Sequence, residues 1–180
     1  MKEISNFNEL EATEVVSTGL QKGVYVARIL RVIDREDKEY LEVWLDIAKG
    51  PQTGYFTKLY EADTNPEKTW NNQGIWRASY KDTATKFFKA FITAVEKSNL
   101  NYRWDWNEQS LVNKMCVAVY GEEEYLSKDN EVKISTKIRE IRSTEALQKG
   151  EIKIPELKKL RVQPISAQPV VEISDKDMPF

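Results

Sequence analysis

The sequence predicts a mainly β domain with one helix, arranged as a five-stranded barrel and followed by an extended arm. Three observations predict it. Several short apolar runs alternate with a period of two, one segment repeats its apolar residues at three and four, and proline gathers after residue 150 where no glycine follows Gly150. A chain of 180 residues fits one domain, placed at residues 1–150, with 151–180 as a flexible, disordered, proline-containing tail.

After Gly23, residues 24–33 form a β-branched run interrupted by Arg28 and Arg31, which reads as a long first strand. A polar turn follows at 34–39. In residues 40–48, Leu41, Val43, Leu45 and Ile47 point one way and Tyr40, Glu42, Trp44 and Asp46 the other, the pattern of a half-buried second strand. Turn formers at 49–54 lead into residues 55–60, expected as a third strand hairpinned to the second. A polar loop carrying Trp70 and Trp76 is expected from 62 to 77.

Over residues 82–97 the period changes. Ala84, Phe87, Phe88, Phe91, Ile92 and Val95 share one helical face, with Asp82 or Thr83 as N-cap, so the three phenylalanines are expected in the core. Residues 111–120 read as a fourth strand and Glu122, Glu123 and Glu124 as an acidic turn. In the fifth strand, 131–141, Val132, Ile134, Thr136 and Ile138 alternate with Lys133, Ser135, Lys137 and Arg139. Three strands, a helix and two strands is the element order of an OB-fold, a five-stranded Greek-key barrel.

Composition narrows the function. The chain has no histidine and one cysteine, Cys116. Imidazole-dependent catalysis and Cys/His zinc sites are thereby removed, so a non-enzymatic protein with no cofactor and no metal site is expected. Lacking a run near the ~18 apolar residues of a membrane helix, the chain is read as soluble and cytoplasmic. Its net charge of -2 conceals a positive middle, because residues 70–106 carry six basic against three acidic side chains. That stretch also holds nine of the 19 aromatics.

Aromatic platforms beside Lys and Arg are what unpaired nucleic acid requires, since it exposes base faces and a line of phosphates. Trp70, Trp76 and Tyr80 interleave with Arg77 and Lys81, and Trp44 lies on the exposed side of the second strand. Lys133, Lys137 and Arg139 are the candidates for phosphate contact. Each has an ordinary alternative: the tryptophans as core or as subunit interface, the lysines as a solvated face. Trp104 and Trp106 are expected to be buried.

The ending Asp175-Lys176-Asp177-Met178-Pro179-Phe180 resembles the C-terminal tip of bacterial single-stranded-DNA-binding proteins, with Met178 in the aliphatic place and Lys176 inside the acidic run. Gly23-Val24-Tyr25, the strand ending Ala48-Lys49-Gly50-Pro51, and the run from Val117 to Tyr125 are similar to the single-stranded-DNA-binding proteins of phages and integrative elements. The resemblance implies a DNA-binding OB-fold acting in replication or recombination inside a bacterial host cell. It also implies that Asp175, Asp177, Met178, Pro179 and Phe180 recruit a replication or recombination protein. Self-association into a homo-oligomer is expected as well. A strand-annealing or recombination-mediator protein and a protein-binding adaptor are the alternatives.

Overall fold

A computed structural model describes residues 19–161. Five strands, β1 (Gly23–Arg35), β2 (Tyr40–Ile47), β3 (Ile75–Ser79), β4 (Met115–Leu126) and β5 (Val132–Arg142), form one antiparallel sheet in the order β3-β2-β1-β4-β5. A three-strand meander with the fourth strand returned beside the first is the Greek-key connection. The sheet is open, with β3 and β5 as its two edges. Three helices complete the described chain: α1 (Tyr55–Ala62), α2 (Thr85–Ser98) and α3 (Thr144–Gln148). None is long and apolar enough to cross a membrane.

β1 organises the sheet because its first half pairs with β4 and its second half with β2. The register slips between Ile29 and Arg31, leaving Leu30 unpaired. That bulge moves the buried positions from odd numbers (Ala27, Ile29) to even (Val32), which an unbroken two-residue period cannot do. β5 uses the same device. A slip opposite Val119 and Tyr120 leaves Arg139 without a partner, so Ile138 packs on the core and Ile141, three residues on, is buried too.

Leu41, Val43, Leu45 and Ile47 of β2 are all buried, as their alternation predicts. The second face of β2 is covered as well, because residues 55–60 form helix α1 instead of the expected third strand. The cause is Asp46. Its buried carboxylate accepts the backbone N–H groups of Phe56 (2.9 Å) and Thr57 (3.1 Å) and the Thr57 hydroxyl, satisfying N–H groups that a helix start leaves orphaned. This capping, with Phe56 buried at 1% exposure, overrides the β propensity of Tyr55, Phe56 and Tyr60.

The third strand lies instead at β3, inside the stretch expected as loop. Gly74 precedes it under close confinement, since a Cβ there would sit 2.7 Å from the Trp70 indole nitrogen and 3.0 Å from the Leu45 carbonyl oxygen. The helix α2 agrees with its 3.6-residue period, although its N-terminus is entered from a 3-10 turn at Asp82–Ala84 with no side-chain cap. Phe91, Ile92, Ala94 and Val95 are its buried face. Phe87 is a correction: at 76% exposure it points away from the core. Asn99 closes the helix by donating to the Val95 and Met115 carbonyls and accepting from the Met115 N–H, which ties α2 to β4.

β4 begins later and ends later than the sequence suggests. Residues 108–111 make a 3-10 turn that buries Leu111, and Glu122, Glu123 and Glu124 continue the strand instead of turning. Val117 and Val119 are fully buried on the face opposite Cys116, Ala118 and Tyr120. α3 contacts β4, and Pro155 lies beside Gly121 on that same outer side. Beyond residue 150 the chain stays on the sheet as far as Lys158, which makes a parallel bridge to Glu123 where β1 no longer pairs.

Candidate nucleic-acid interface

The two sheet edges, β3 and β5, approach each other over α2 and enclose a groove. Its upper part has a volume of about 1010 Å³ and is lined by Trp76 and Arg77 on one side, Ile134, Lys137 and Ile138 on the other, and Lys22 at the mouth. The lower part, about 600 Å³, continues from the same Trp76 and Arg77 to Phe87, Arg139 and Arg142. Gln73 spans the gap, donating to the Thr136 carbonyl at 3.1 Å and accepting the Tyr120 hydroxyl at 2.8 Å.

Strand register explains how neighbouring residues divide the work. Trp76 lies opposite Val43 and Ala78 opposite Leu41, so both face the interior, while Arg77 lies opposite Glu42 on the outer side. Trp76 is therefore half-buried at the rim, with an indole N–H that is buried and has no hydrogen-bond acceptor among the described residues. Arg77 is exposed, and among the described residues it makes no ion pair. Glu42 feels its charge. Burial raises the Glu42 carboxyl, yet the Trp44 indole N–H, Arg35 and Arg77 together hold it below the ordinary carboxylate range.

Glu123 gathers two cations of β5 and one from the segment beyond it. It pairs with Arg139 (3.2 Å), Lys137 (3.3 Å) and Lys158 (3.5 Å). Burial pushes its carboxyl up, but the hydrogen bond and charge of Lys137 and the charges of Lys158 and Arg139 outweigh this and lower it. One carboxylate thus holds three cations in place and neutralises part of their field. Lys22 is paired with Glu122 at 2.8 Å, and Arg142 with Glu140 at 3.5 Å.

Of the candidates read from the sequence, Trp76, Arg77, Lys137 and Arg139 converge on this groove. The others do not. Trp70 is 7% exposed and packs among Trp44, Phe56 and Tyr60, so it is a core residue with no face for a base. Trp44 stacks on Trp70, lies under the Arg31 guanidinium at 4.9 Å, and donates its indole N–H to Glu42. Tyr80 donates its hydroxyl to Asp34 at 2.8 Å, and that bond, ahead of burial, pushes the phenol up to about 12. It lines a different cleft, beyond α2. Lys81 is exposed on the turn after β3, and Lys133 pairs with Glu131 at 3.5 Å near the β4–β5 turn.

Lys22, Phe87 and Arg142 are groove residues that sequence reasoning passed over. Phe87 shares a helical face with Phe91 by spacing, and nothing in the pattern separates them. Trp106 is a second correction to expected burial, with 83% of its surface exposed. Asp175, Asp177, Met178, Pro179 and Phe180 lie outside the described residues. Among the described residues no three Cys, Asp or Glu side chains come together as a metal cluster. A scan of the sequence against protein-family models finds no match, and a search of curated proteins finds no relative.

Proposed function

We propose that the protein is a non-enzymatic, sequence-tolerant single-stranded-DNA-binding protein whose strand runs along the groove between β3 and β5. One observation carries the reading. Trp76 and Arg77, and Lys137 with Arg139, come from two distant stretches whose residue types suit stacking and phosphate contact, and they line the same groove. A half-buried indole beside cations is the arrangement that accepts a base face and its phosphates together. In this reading the curled sheet is an OB-fold left partly open, with DNA occupying the gap between its edges.

The residues from Asp175 to Phe180 belong to the same proposal as an anchor for a replication or recombination protein of the bacterial host. A phenyl ring, a stiff proline and flanking aspartates suit a small basic-rimmed pocket on such a partner. The test is titration of intrinsic tryptophan fluorescence with an oligo(dT) of about 40 nucleotides, repeated on duplex DNA and at rising salt. Binding to the single strand, weak on duplex and falling steeply with salt, supports the reading. No change in fluorescence or mobility at micromolar protein and low salt overturns it.

A further inference from the structure

The side of α2 away from the groove carries a second concave site of opposite chemistry. It is a cleft of about 720 Å³ floored by the buried side chains of Leu41 and Ile92. Its walls are four aromatic rings in a chain of edge-to-face and tilted contacts. Tyr80 and Phe88 are 6.1 Å apart, Phe88 and Trp104 6.2 Å, and Trp104 and Trp106 6.2 Å.

Trp106 stands out of this wall at 83% exposure, on a backbone with φ of 64°, a left-handed conformation that a bulky residue rarely adopts. The Asp105 side chain, which accepts the Asn107 N–H at 3.1 Å, fixes the turn that presents it.

Asp34, Glu36, Glu96 and Glu108 rim the cleft against a single cation, Lys89. Asp34 accepts the Tyr80 hydroxyl, Glu96 the Trp104 N–H and Glu108 the Gln109 amide. Among the described residues none of the four is in an ion pair. A nucleic acid would be repelled here. An apolar floor, ring faces and uncompensated carboxylates together select a cation that also has a flat apolar surface, which is the guanidinium of arginine.

We infer that this cleft docks an arginine-bearing extended segment of a partner protein, with a guanidinium laid against Trp106 and paired to the rim carboxylates. The site is separate from the groove and meets it only at Phe88, which lines both. A docked segment therefore leaves the groove free. The inference does not depend on the groove binding DNA.

The experiment uses the full chain and a fluorescein-labelled peptide of about a dozen residues, with arginines spaced by glycine and serine, read by polarisation. Trp106→Ala and the double change Glu36→Gln with Glu108→Gln should each weaken the peptide ~5-fold. Trp106→Ala should leave oligo(dT) affinity unaltered, and Trp76→Ala should leave peptide affinity unaltered. Absence of peptide binding overturns the inference, as does binding that both cleft variants retain in full, which would place the peptide on some other acidic part of the chain. Loss of oligo(dT) affinity in Trp106→Ala would assign the cleft to nucleic acid instead. Should Trp106→Ala fail to fold, the glutamine pair decides alone. Peptide binding without oligo(dT) binding would sink the DNA reading and leave this one standing.

Discussion

The indole rings of Trp44 and Trp70 lie parallel, 9° apart in plane with centroids separated by 5.4 Å. Two residues that the sequence offers as separate DNA platforms are thus stacked on each other, and the pair seals α1 and the loop that follows it onto β2. Offset stacking of this kind adds about 0.5–1.5 kcal/mol beyond the area it buries.

Trp70→Ala is expected to cost about 3–5 kcal/mol of folding stability, the usual range for emptying a buried tryptophan site. Urea denaturation measures it. A loss below about 1 kcal/mol would mean that the loop does not hold Trp70 in the core. In a double-mutant cycle, Trp44→Ala and Trp70→Ala should show a coupling of about 0.5–1.5 kcal/mol.

Trp76→Ala should weaken oligo(dT) binding by about 1–3 kcal/mol while the thermal transition survives, because the ring sits at the groove rim and not in its floor. Arg77→Ala should lower affinity and reduce the salt slope by about one counterion, as expected for one lost phosphate contact. If Trp76→Ala binds oligo(dT) like the wild type, the strand does not run past β3.

Glu123→Gln should raise oligo(dT) affinity and steepen its salt dependence, since Lys137, Arg139 and Lys158 lose the carboxylate that neutralises them. The same residue sets a pH dependence. Its carboxyl is held below the ordinary 4.5, so its stabilisation is complete above that value and is lost as pH falls through the lower folded value. Thermal unfolding of wild type and Glu123→Gln should therefore differ most near neutral pH and converge in acid. Equal curves at every pH would remove Glu123 from the stability of the β4–β5 region.

Cys116 is fully buried, and burial pushes its thiol up to about 12. At pH near 8 a thiol reagent should leave the native protein unmodified and react only as fast as the sheet opens. The measurement is labelling rate against urea. A prompt native reaction would show that Cys116 is not buried in β4, between β1 and β5, as described.

Removing Met178, Pro179 and Phe180 should abolish recovery of a host replication or recombination protein while oligo(dT) affinity stays equal or rises slightly. Asp175 and Asp177 remain after this deletion, which removes no charged side chain and so cannot weaken binding through charge. Unaltered partner recovery after the deletion removes the anchoring role.

The second strand and the long helix were legible because each buries one face whose period matches its backbone. Leu41, Val43, Leu45 and Ile47 had no other way to be buried together, and neither had Phe91, Ile92 and Val95. The cationic stretch and its aromatics were also legible as chemistry, since residue types alone give that.

What the chain does with those residues was decided in three dimensions. Residues 55–60 are a helix because Asp46, ten residues back, caps it, and a side chain's tertiary hydrogen bond leaves no mark in local periodicity. The bulges at Leu30 and Arg139 shift which residues face inward, so alternation read straight through them misassigns a face. Trp70, Trp76 and Trp106 are alike in sequence, and their exposure differs because exposure is set by what other segments arrive to cover them: α1 over Trp70, the facing edge strand beside Trp76, and solvent around Trp106.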